Sequence, residues 1–357
     1  MGVAASRSIV KTIFFLVALL LINYTPNSAA SPLKADETLR LYRTQGYLTE
    51  DGGEWVIPLH GWVGELEEGS ILRATFIKSL EEFAGEEWSE SERELFEERI
   101  KPFLADDERG KEVEVVIGGV SKEIGPSSPD GHLYGAVSVP VDSVDEMTQL
   151  FANSNSAKAR VLLLPQKGLS VVSDIDDTIK ISNVSDKAAL MKNTFLRPFL
   201  AVEGMSALYR SWEDRGAHFH YLSGSPWQLY SVLDDFIAEN SFPEGAFYLR
   251  RIRFNPLHLG ALFDDPKEFK ISELEELFKR YPLRKFVLLG DSGEMDPEVY
   301  GEAARRHPER VNAIFIRDVT GDGRDGQRYL KAFKGVPKER WRLFKVGEEL
   351  LNEDINY

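Results

Sequence analysis

Three stretches of this sequence gather side chains that could do chemistry together. In Ser173-Asp174-Ile175-Asp176-Asp177-Thr178-Ile179, three carboxylates fall within four positions at the end of an apolar run. Like charges packed that closely raise one another's pKa values unless a cation sits among them. A hard divalent ion with oxygen ligands removes that penalty, and Mg²⁺ with phosphate fits the pattern best. In an extended chain Asp174 and Asp176 point to one side and Ile175 to the other. One carboxylate is then placed to attack while the other handles protons. The second stretch is Ser223-Gly224-Ser225-Pro226. A hydroxyl at a strand end, beside the N–H groups of a helix start, holds phosphate. The spacing of Ser225, Pro226 and Gln228 predicts that Ser225 caps a helix with proline at its first position, which leaves Ser223 as the ligand. The third stretch runs from Gly290-Asp291 to Asp296-Pro297. Gly290 permits close backbone approach, Asp291 stands at a strand end, and Asp296 is either a helix cap or a further site residue. Phosphoryl oxygens also need a cation, for which Lys267 and Lys270 are candidates.

The elements that must position these residues read as alternating strands and helices from Gly168 onward, the α/β signature. Strands are expected at Leu169–Val172, His218–Leu222, Lys285–Leu289 and Val311–Ile316. Helices are expected at Glu203–Arg215, Ile271–Tyr281 and Pro297–Arg306. The resulting parallel sheet would present its ligand at the carboxyl ends of the strands, where all three stretches fall. A helical extension is expected over 321–357. Residues 31–165 have a different grain. Short strands divided by Gly, Pro and Asp turns predict a β-sandwich-like domain. It carries an acidic helical insert opened by a capping box of Ser89 and Glu92, with Leu95, Phe96 and Ile100 as its apolar stripe and Pro102 at its end. The acids from Glu81 to Glu98 read as a solvated face. The apolar Phe195, Phe199 and Leu200 around Arg197 are expected to pack inside, the alternative being contact with a lipid surface.

Taken together and in order, the motifs resemble those of the haloacid dehalogenase-like hydrolases: Asp174, Asp176 and Thr178 as DxDxT, then Ser223, a lysine, and Gly290-Asp291 to Asp296 as GDxxxxD. The finer wording is similar to the catalytic domain of the yeast actin-patch phosphatidate phosphatases. It comprises residues 173–178, Tyr221-Leu222-Ser223-Gly224-Ser225-Pro226-Trp227-Gln228, Gly290-Asp291-Ser292-Gly293 and Ile316-Arg317-Asp318-Val319. The resemblance spans roughly 169–319. It implies a Rossmann-like parallel sheet with helices on both faces and little cap, preceded by a β-rich domain. It also implies roles. Asp174 would be the nucleophile that forms an aspartyl-phosphate, and Asp176 the acid and then the base. Thr178, Ser223 and Gly224 would serve on the substrate side, with Thr178 ordering the loop. Lys270 would neutralise the phosphoryl oxygens. Asp174, the backbone carbonyl of Asp176, and Asp291 would hold Mg²⁺, and Asp296 would hold Lys270 or a metal-bound water. In that family a histidine usually precedes the lysine; here it is Phe269. The implied reaction is release of phosphate from phosphatidate, with contact at a membrane surface. The alternatives are a secreted phosphatase for soluble phosphomonoesters and a non-catalytic binding protein on the same fold. The last is disfavoured because every catalytic position is filled.

The bulk properties agree with such a protein. A chain of 357 residues with 43% hydrophobic and 28% charged residues can bury two sizeable cores. Its net charge of −15 repels nucleic acid at long range. The absence of cysteine excludes disulfides, thiolate metal sites and a catalytic thiol. Arg250, Arg251 and Arg253 form a local basic cluster that either holds an anionic headgroup or pairs with acids. At the N-terminus, Arg7 and Lys11 precede an apolar run from Ile13 to Ile22 and the small residues Ser28-Ala29-Ala30-Ser31. This is the layout of a signal peptide over 1–30, cut after Ala30. It predicts a secreted or periplasmic protein; the alternative is an uncleaved N-terminal membrane anchor.

Overall fold

The computed structural model describes residues 30–65, 88–143, 149–153, 157–252, 265–353 and 355. The signal segment up to residue 29, the acids of residues 81–87 and Arg253 lie outside the described residues. No described helix is long and apolar enough to cross a membrane.

The described residues of the C-terminal half form six parallel strands: β10 (Gly168–Ser173), β11 (His218–Pro226), β12 (Gly245–Arg250), β13 (Arg284–Asp291), β14 (Val311–Arg317) and β15 (Trp341–Phe344). Their order across the sheet is β12-β11-β10-β13-β14-β15. Alternation along each strand feeds two cores. Val171, Phe219, Val287, Leu289 and Phe315 face one side. There they meet Met205, Leu208 and Trp212 of α3 (Met205–Glu213) and Leu233 and Phe236 of α4 (Tyr230–Glu239). Val172, Leu222, Phe286, Leu288 and Ile314 face the other side. They pack on Leu274 and Leu277 of α5 (Lys267–Arg280), Val299 and Tyr300 of α6 (Asp296–Arg306) and Tyr329 of α7 (Gln327–Ala332).

Three expectations are corrected here. Ser225 caps no helix. β11 runs on through Pro226, a 3₁₀ turn spans Trp227–Leu229, and α4 starts without a side-chain cap. The Ser225 hydroxyl is taken instead by Asp176 Oδ2, 2.9 Å away. The segment 321–357 is not simply helical, because Trp341-Arg342-Leu343-Phe344 adds β15 to the sheet edge, with Trp341 and Phe344 buried. Leu200 does not pack inside: it is 61% exposed, while its carbonyl accepts the Ile181 N–H. The backbone pairing there fixes the chain and turns the side chain outward.

The described residues of the N-terminal half form nine strands: β1 (Thr38–Leu41), β2 (Thr44–Leu48), β3 (Glu54–Glu65), β4 (Asp106–Asp107), β5 (Val113–Ile117), β6 (Val120–Ile124), β7 (His132–Pro140), β8 (Gln149–Asn153) and β9 (Lys158–Leu164). They pair into one continuous sheet, so two separate sandwich sheets are not what the pairing gives. The long strand β3 is the reason. It pairs with β7 over most of its length and with β2, β1 and β4 at successive positions. One core of Leu39, Ile57, Leu59, Val115, Leu133 and Val161 lies within.

Helix α1 (Glu90–Ile100) carries the Ser89–Glu92 capping box. Phe96 and Ile100 of α1, with Tyr42 and Trp62, belong to the same buried cluster as Phe195 and Tyr230 of the C-terminal half. The two halves therefore share a core. Polar ties reinforce it: Gln45 Nε2 donates to the Phe219 carbonyl at 2.8 Å, and Arg43 pairs with Asp234 at 2.7 Å.

Candidate active site

The floor of the site is the turn after β10. The Asp174 N–H donates to the Leu289 carbonyl of β13 at 2.9 Å, so the chain leaves the sheet in register with its neighbour. Ile175 is buried and its carbonyl accepts the N–H groups of Ile179 and Lys180, both at 3.0 Å, which folds residues 174–180 into a tight loop. Asp177 adopts φ +54°, a left-handed conformation that aspartate tolerates. Its carboxylate accepts the N–H groups of Ser182, Asn183 and Val184 at 2.8, 2.9 and 2.6 Å. The third acid of the run is therefore an architectural anchor for the loop.

The other two acids are fully ligated by different partners. Asp174 Oδ1 accepts from Lys270 Nζ at 2.8 Å, and Oδ2 accepts from Thr178 Oγ1 at 3.0 Å. Asp176 Oδ1 meets Lys180 Nζ at 2.7 Å and Ser182 Oγ at 2.6 Å. Asp176 Oδ2 meets Ser225 Oγ at 2.9 Å and Ser223 Oγ at 3.2 Å. Gly224 lies between these serines on the cleft lining, where a Cβ would stand 3.0 Å from Pro266. Of the two candidate lysines, the structure brings Lys270 to the site, from the first turn of α5. Its ammonium also reaches Asp296 Oδ1 at 2.6 Å and Glu294 Oε2 at 3.1 Å. Asp296 is the first residue of α6 and makes no capping bond there. Its carboxylate holds Lys270 and accepts the Asp291 N–H at 3.2 Å. Only glycine fits at 290, because a Cβ there would lie 2.3 Å from Asp296 Oδ2.

Burial sets the electrostatics. It pushes the Asp174 carboxyl well above the usual range; Lys270 opposes the rise, and Asp296 and Glu294 add to it. Burial likewise raises Asp291, beside Asp296 and Asp174. Asp176 goes the other way. Burial would raise it, but Lys180 and the hydroxyls of Ser182 and Ser225 hold it at about 2. Lys270 stays well above the usual lysine range despite burial, because Asp174, Asp296 and Glu294 surround it.

The donor set fits a hard cation. Oxygens of Asp174, Asp291 and Asp296 lie within 4.8 Å of one another, all buried. Among the described residues Asp291 Oδ2 has no hydrogen-bond partner. Three buried carboxylates beside one lysine leave uncompensated negative charge, which a divalent ion with oxygen preference removes. The Asp176 carboxylate is not in this cluster, since serines and a lysine occupy it.

Above the floor opens a cleft of about 420 Å³. Asp176, Ser225 and Glu294 line its base, with Met191 and Phe195 of α2 (Lys187–Phe195), Leu229 and Met295 among its apolar walls. Reading the sequence alone missed Lys180, Ser182, Ser225 and Glu294 as site residues. Spacing gave no signal for the first two, because residues 174–180 fold into a tight loop where the alternation of an extended strand does not hold.

Comparison with known proteins falls on this half. Residues 169–318 match a family described as phosphatidate phosphatase APP1, catalytic domain. An uncharacterized protein of Schizosaccharomyces pombe is 36% identical over 168 residues, 46% of this chain and 27% of that protein. The phosphatidate phosphatase APP1 of Saccharomyces cerevisiae is 33% identical over 154 residues, 42% of this chain and 26% of its own length. The chain thus spans about a quarter of the length of these relatives. Among solved structures, the cobalt-bound deoxy-D-mannose-octulosonate 8-phosphate phosphatase of Haemophilus influenzae aligns at 14% identity and a TM-score of 0.28, over 45% of this chain and 72% of that one. Every site residue described above lies inside the matched stretch, and residues 169–318 are similar in sequence to the catalytic domain of the phosphatidate phosphatase APP1 family.

Proposed function

We propose that this chain is a metal-dependent phosphomonoesterase that works through an aspartyl-phosphate, with a lipid phosphate of the phosphatidate type as its substrate. The observation that carries the reading is the unequal treatment of two buried neighbours. Asp174 is held by one lysine and one hydroxyl below the cleft, while Asp176 is held by Lys180 and three serines on the cleft lining. Asp174 Oδ attacks phosphorus, and the phosphorus–ester oxygen bond breaks. The departing alkoxide takes a proton from Asp176. Water then attacks the aspartyl-phosphate and gives its proton back to Asp176, and phosphate leaves. The ground-state pKa of about 2 fits this sequence once substrate is counted. A bound phosphoryl group brings negative charge beside Asp176 and draws the Ser223 and Ser225 hydroxyls toward its own oxygens, and both effects raise the carboxyl against the hold of Lys180 and Ser182. Lys270 neutralises the equatorial oxygens, where transition-state charge spreads. A divalent ion, Mg²⁺ by ligand type, would be held by Asp174 and Asp291 with Asp296 beside them, and would supply further charge neutralisation.

The lipid assignment rests on the family match and on the apolar wall of Met191, Phe195, Leu229 and Met295 beside the acid that meets the leaving group. Lys187, Arg250 and Arg328 also line the cleft and favour the second reading, a soluble phosphomonoester. Phosphate release from phosphatidate in micelles, measured against a panel of soluble esters, separates the two. A strong preference for the soluble panel sinks the lipid reading, and no release from either sinks the phosphatase.

A further inference from the structure

The basic cluster at Arg250 and Arg251 leads away from the catalytic cleft to a second cavity of about 430 Å³ at the seam between the two halves. Arg250 lines both cavities. The second is a separate space: none of the residues assigned to the reaction lines it. Four arginines do, Arg43 from the N-terminal half and Arg250, Arg251 and Arg280 from the catalytic half, against one acid on the lining, Glu273. With Asp234 and Asp130 behind two of them and Glu273 on the lining, the arginines still exceed the acids by one at this seam, in a chain of net charge −15.

Two of the arginines are fixed from behind. Arg43 Nη2 pairs with Asp234 at 2.7 Å, and Arg251 with Asp130 at 2.6 Å. For Arg251 this leaves the guanidinium over the ring of Tyr134, 5.6 Å from its centroid. Tyr134 in turn stacks on His60 at 4.3 Å, and His60 meets the edge of Trp227 at 4.4 Å, so flat aromatic surface lies beside the charge. Arg43 supplies the decisive detail. Its side chain is 10% exposed, yet among the described residues its Nε and Nη1 have no hydrogen-bond partner. A buried guanidinium with two unmet donors is costly, and an anion that accepted from either N–H would relieve that cost.

We propose that this seam cavity is a second anion-binding site, taking a phosphoester oxyanion together with the apolar or ring-shaped body attached to it. The volume suits a small phosphorylated ligand or a phospholipid headgroup. Both halves contribute to it, so the site exists only when they are docked, which gives the N-terminal half a part in recognition.

The test uses the full chain with Asp174→Asn to stop turnover. The probes are inorganic phosphate and sn-glycerol 3-phosphate by calorimetry, and vesicles of phosphatidylcholine with or without phosphatidylglycerol by flotation. Phosphatidylglycerol is a diester, which a monoesterase centre does not take. Arg43→Gln with Arg280→Gln is expected to weaken binding by about tenfold or more, the worth of a charge-assisted hydrogen bond. In the chain with Asp174 intact, the same pair should leave kcat on an aryl phosphate unchanged. A loss confined to the vesicles assigns a lipid headgroup; a loss confined to the soluble probes assigns a free phosphoester. Unchanged affinity in every arm overturns the proposal. Hydrogen exchange at Tyr42–Thr44 needs no arginine substitution and so decides the matter even where the double variant fails to fold. The probe that binds should protect this segment, and its absence of protection overturns the site.

Discussion

Replacing Gly290 by alanine probes the tightest joint of the site. The new Cβ would lie 2.3 Å from Asp296 Oδ2 and 2.6 Å from its Cβ and Cγ. Carbon and oxygen atoms rest in contact at about 3.5 Å, so the overlap is about 1 Å. Neither neighbour can give way freely. Asp296 is fully buried at the start of α6, with one oxygen on Lys270 at 2.6 Å and the other on the Asp291 N–H at 3.2 Å. Gly290 itself sits within β13, paired with Ile316 of β14 and next to Leu289, the last residue paired with β10. Overpacking of this kind costs roughly 1–3 kcal/mol, and a displaced charged hydrogen bond adds about 1.5–3 kcal/mol. We expect a stability loss of about 2.5–6 kcal/mol, read as a lower urea midpoint at unchanged slope. The larger effect falls on rate. If Asp296 turns away, Lys270 follows it or loses its anchor, and a shift of about 1 Å in a positioning group is worth about 10²-fold in kcat. The assay is kcat on an aryl phosphate at a temperature where the variant is folded. Gly53→Ala is the control, since its Cβ would meet nothing closer than Asp51 at 3.6 Å on an exposed loop. Should Gly290→Ala melt early yet keep the parental kcat, Asp296 does not hold Lys270 in its working position, and the reasoning fails.

Three further outcomes are expected. Asp174→Asn should abolish turnover, whereas Asp176→Asn should trap labelled phosphate from an aryl ester on the protein, because general base help worth about 10²–10⁴-fold is lost from the second step. Label that persists when Asp174 is also replaced would assign the nucleophile elsewhere. Asp291→Asn should abolish metal-dependent activity and weaken Mg²⁺ binding measured by calorimetry; undiminished activity of the parent in chelator would refute the metal assignment. Edman sequencing of the mature protein should begin at Ser31, and an intact Met1 or Gly2 would reject the cleaved signal.

Much of the site was legible because its chemistry is carried by short runs. DxDxT and GDxxxxD each place acids at strand ends, and the structure brings Asp174, Asp291 and Asp296 together. Lys270 was ambiguous from spacing alone, since a helix start offers both it and Lys267, and only the fold decides which faces inward. Ser225 was misread for a physical reason. Serine before proline is a good helix cap, and local propensity carries no information about a carboxylate 49 residues earlier that claims the same hydroxyl. Glu294 was missed because nothing in its neighbours distinguishes an acid aimed at a distant lysine from a solvated one. In the N-terminal half, short strands were legible one by one, but their joining through β3 was not. A strand that pairs with different neighbours along its length looks the same in sequence as one that does not.

The acidic insert shows where composition misleads most. Its many glutamates read as a solvated helix face, and several are exposed, yet the side chain that matters is a buried cation. Arg99 of α1 reaches across to the catalytic half and donates to the carbonyls of Thr194 and Arg197 at 2.8 and 2.7 Å. These carbonyls lie at the C-terminal end of α2, where orphan acceptors and the negative end of the helix dipole favour a cation. The same guanidinium stacks over Phe199 at 4.0 Å, and Lys180 lies over that ring at 4.7 Å. Lys180 is the residue that pairs with Asp176 at 2.7 Å. One arginine thus fixes the end of the helix that walls the cleft and packs against the ring that positions the partner of the proposed acid. Phe96 and Phe103 add apolar contact with Phe195 on that same wall, at ring centroid separations of 6.3 and 5.6 Å. A cation buried among aromatic rings and helix-end carbonyls has no better place to go, so the N-terminal half braces the shape of the catalytic cleft.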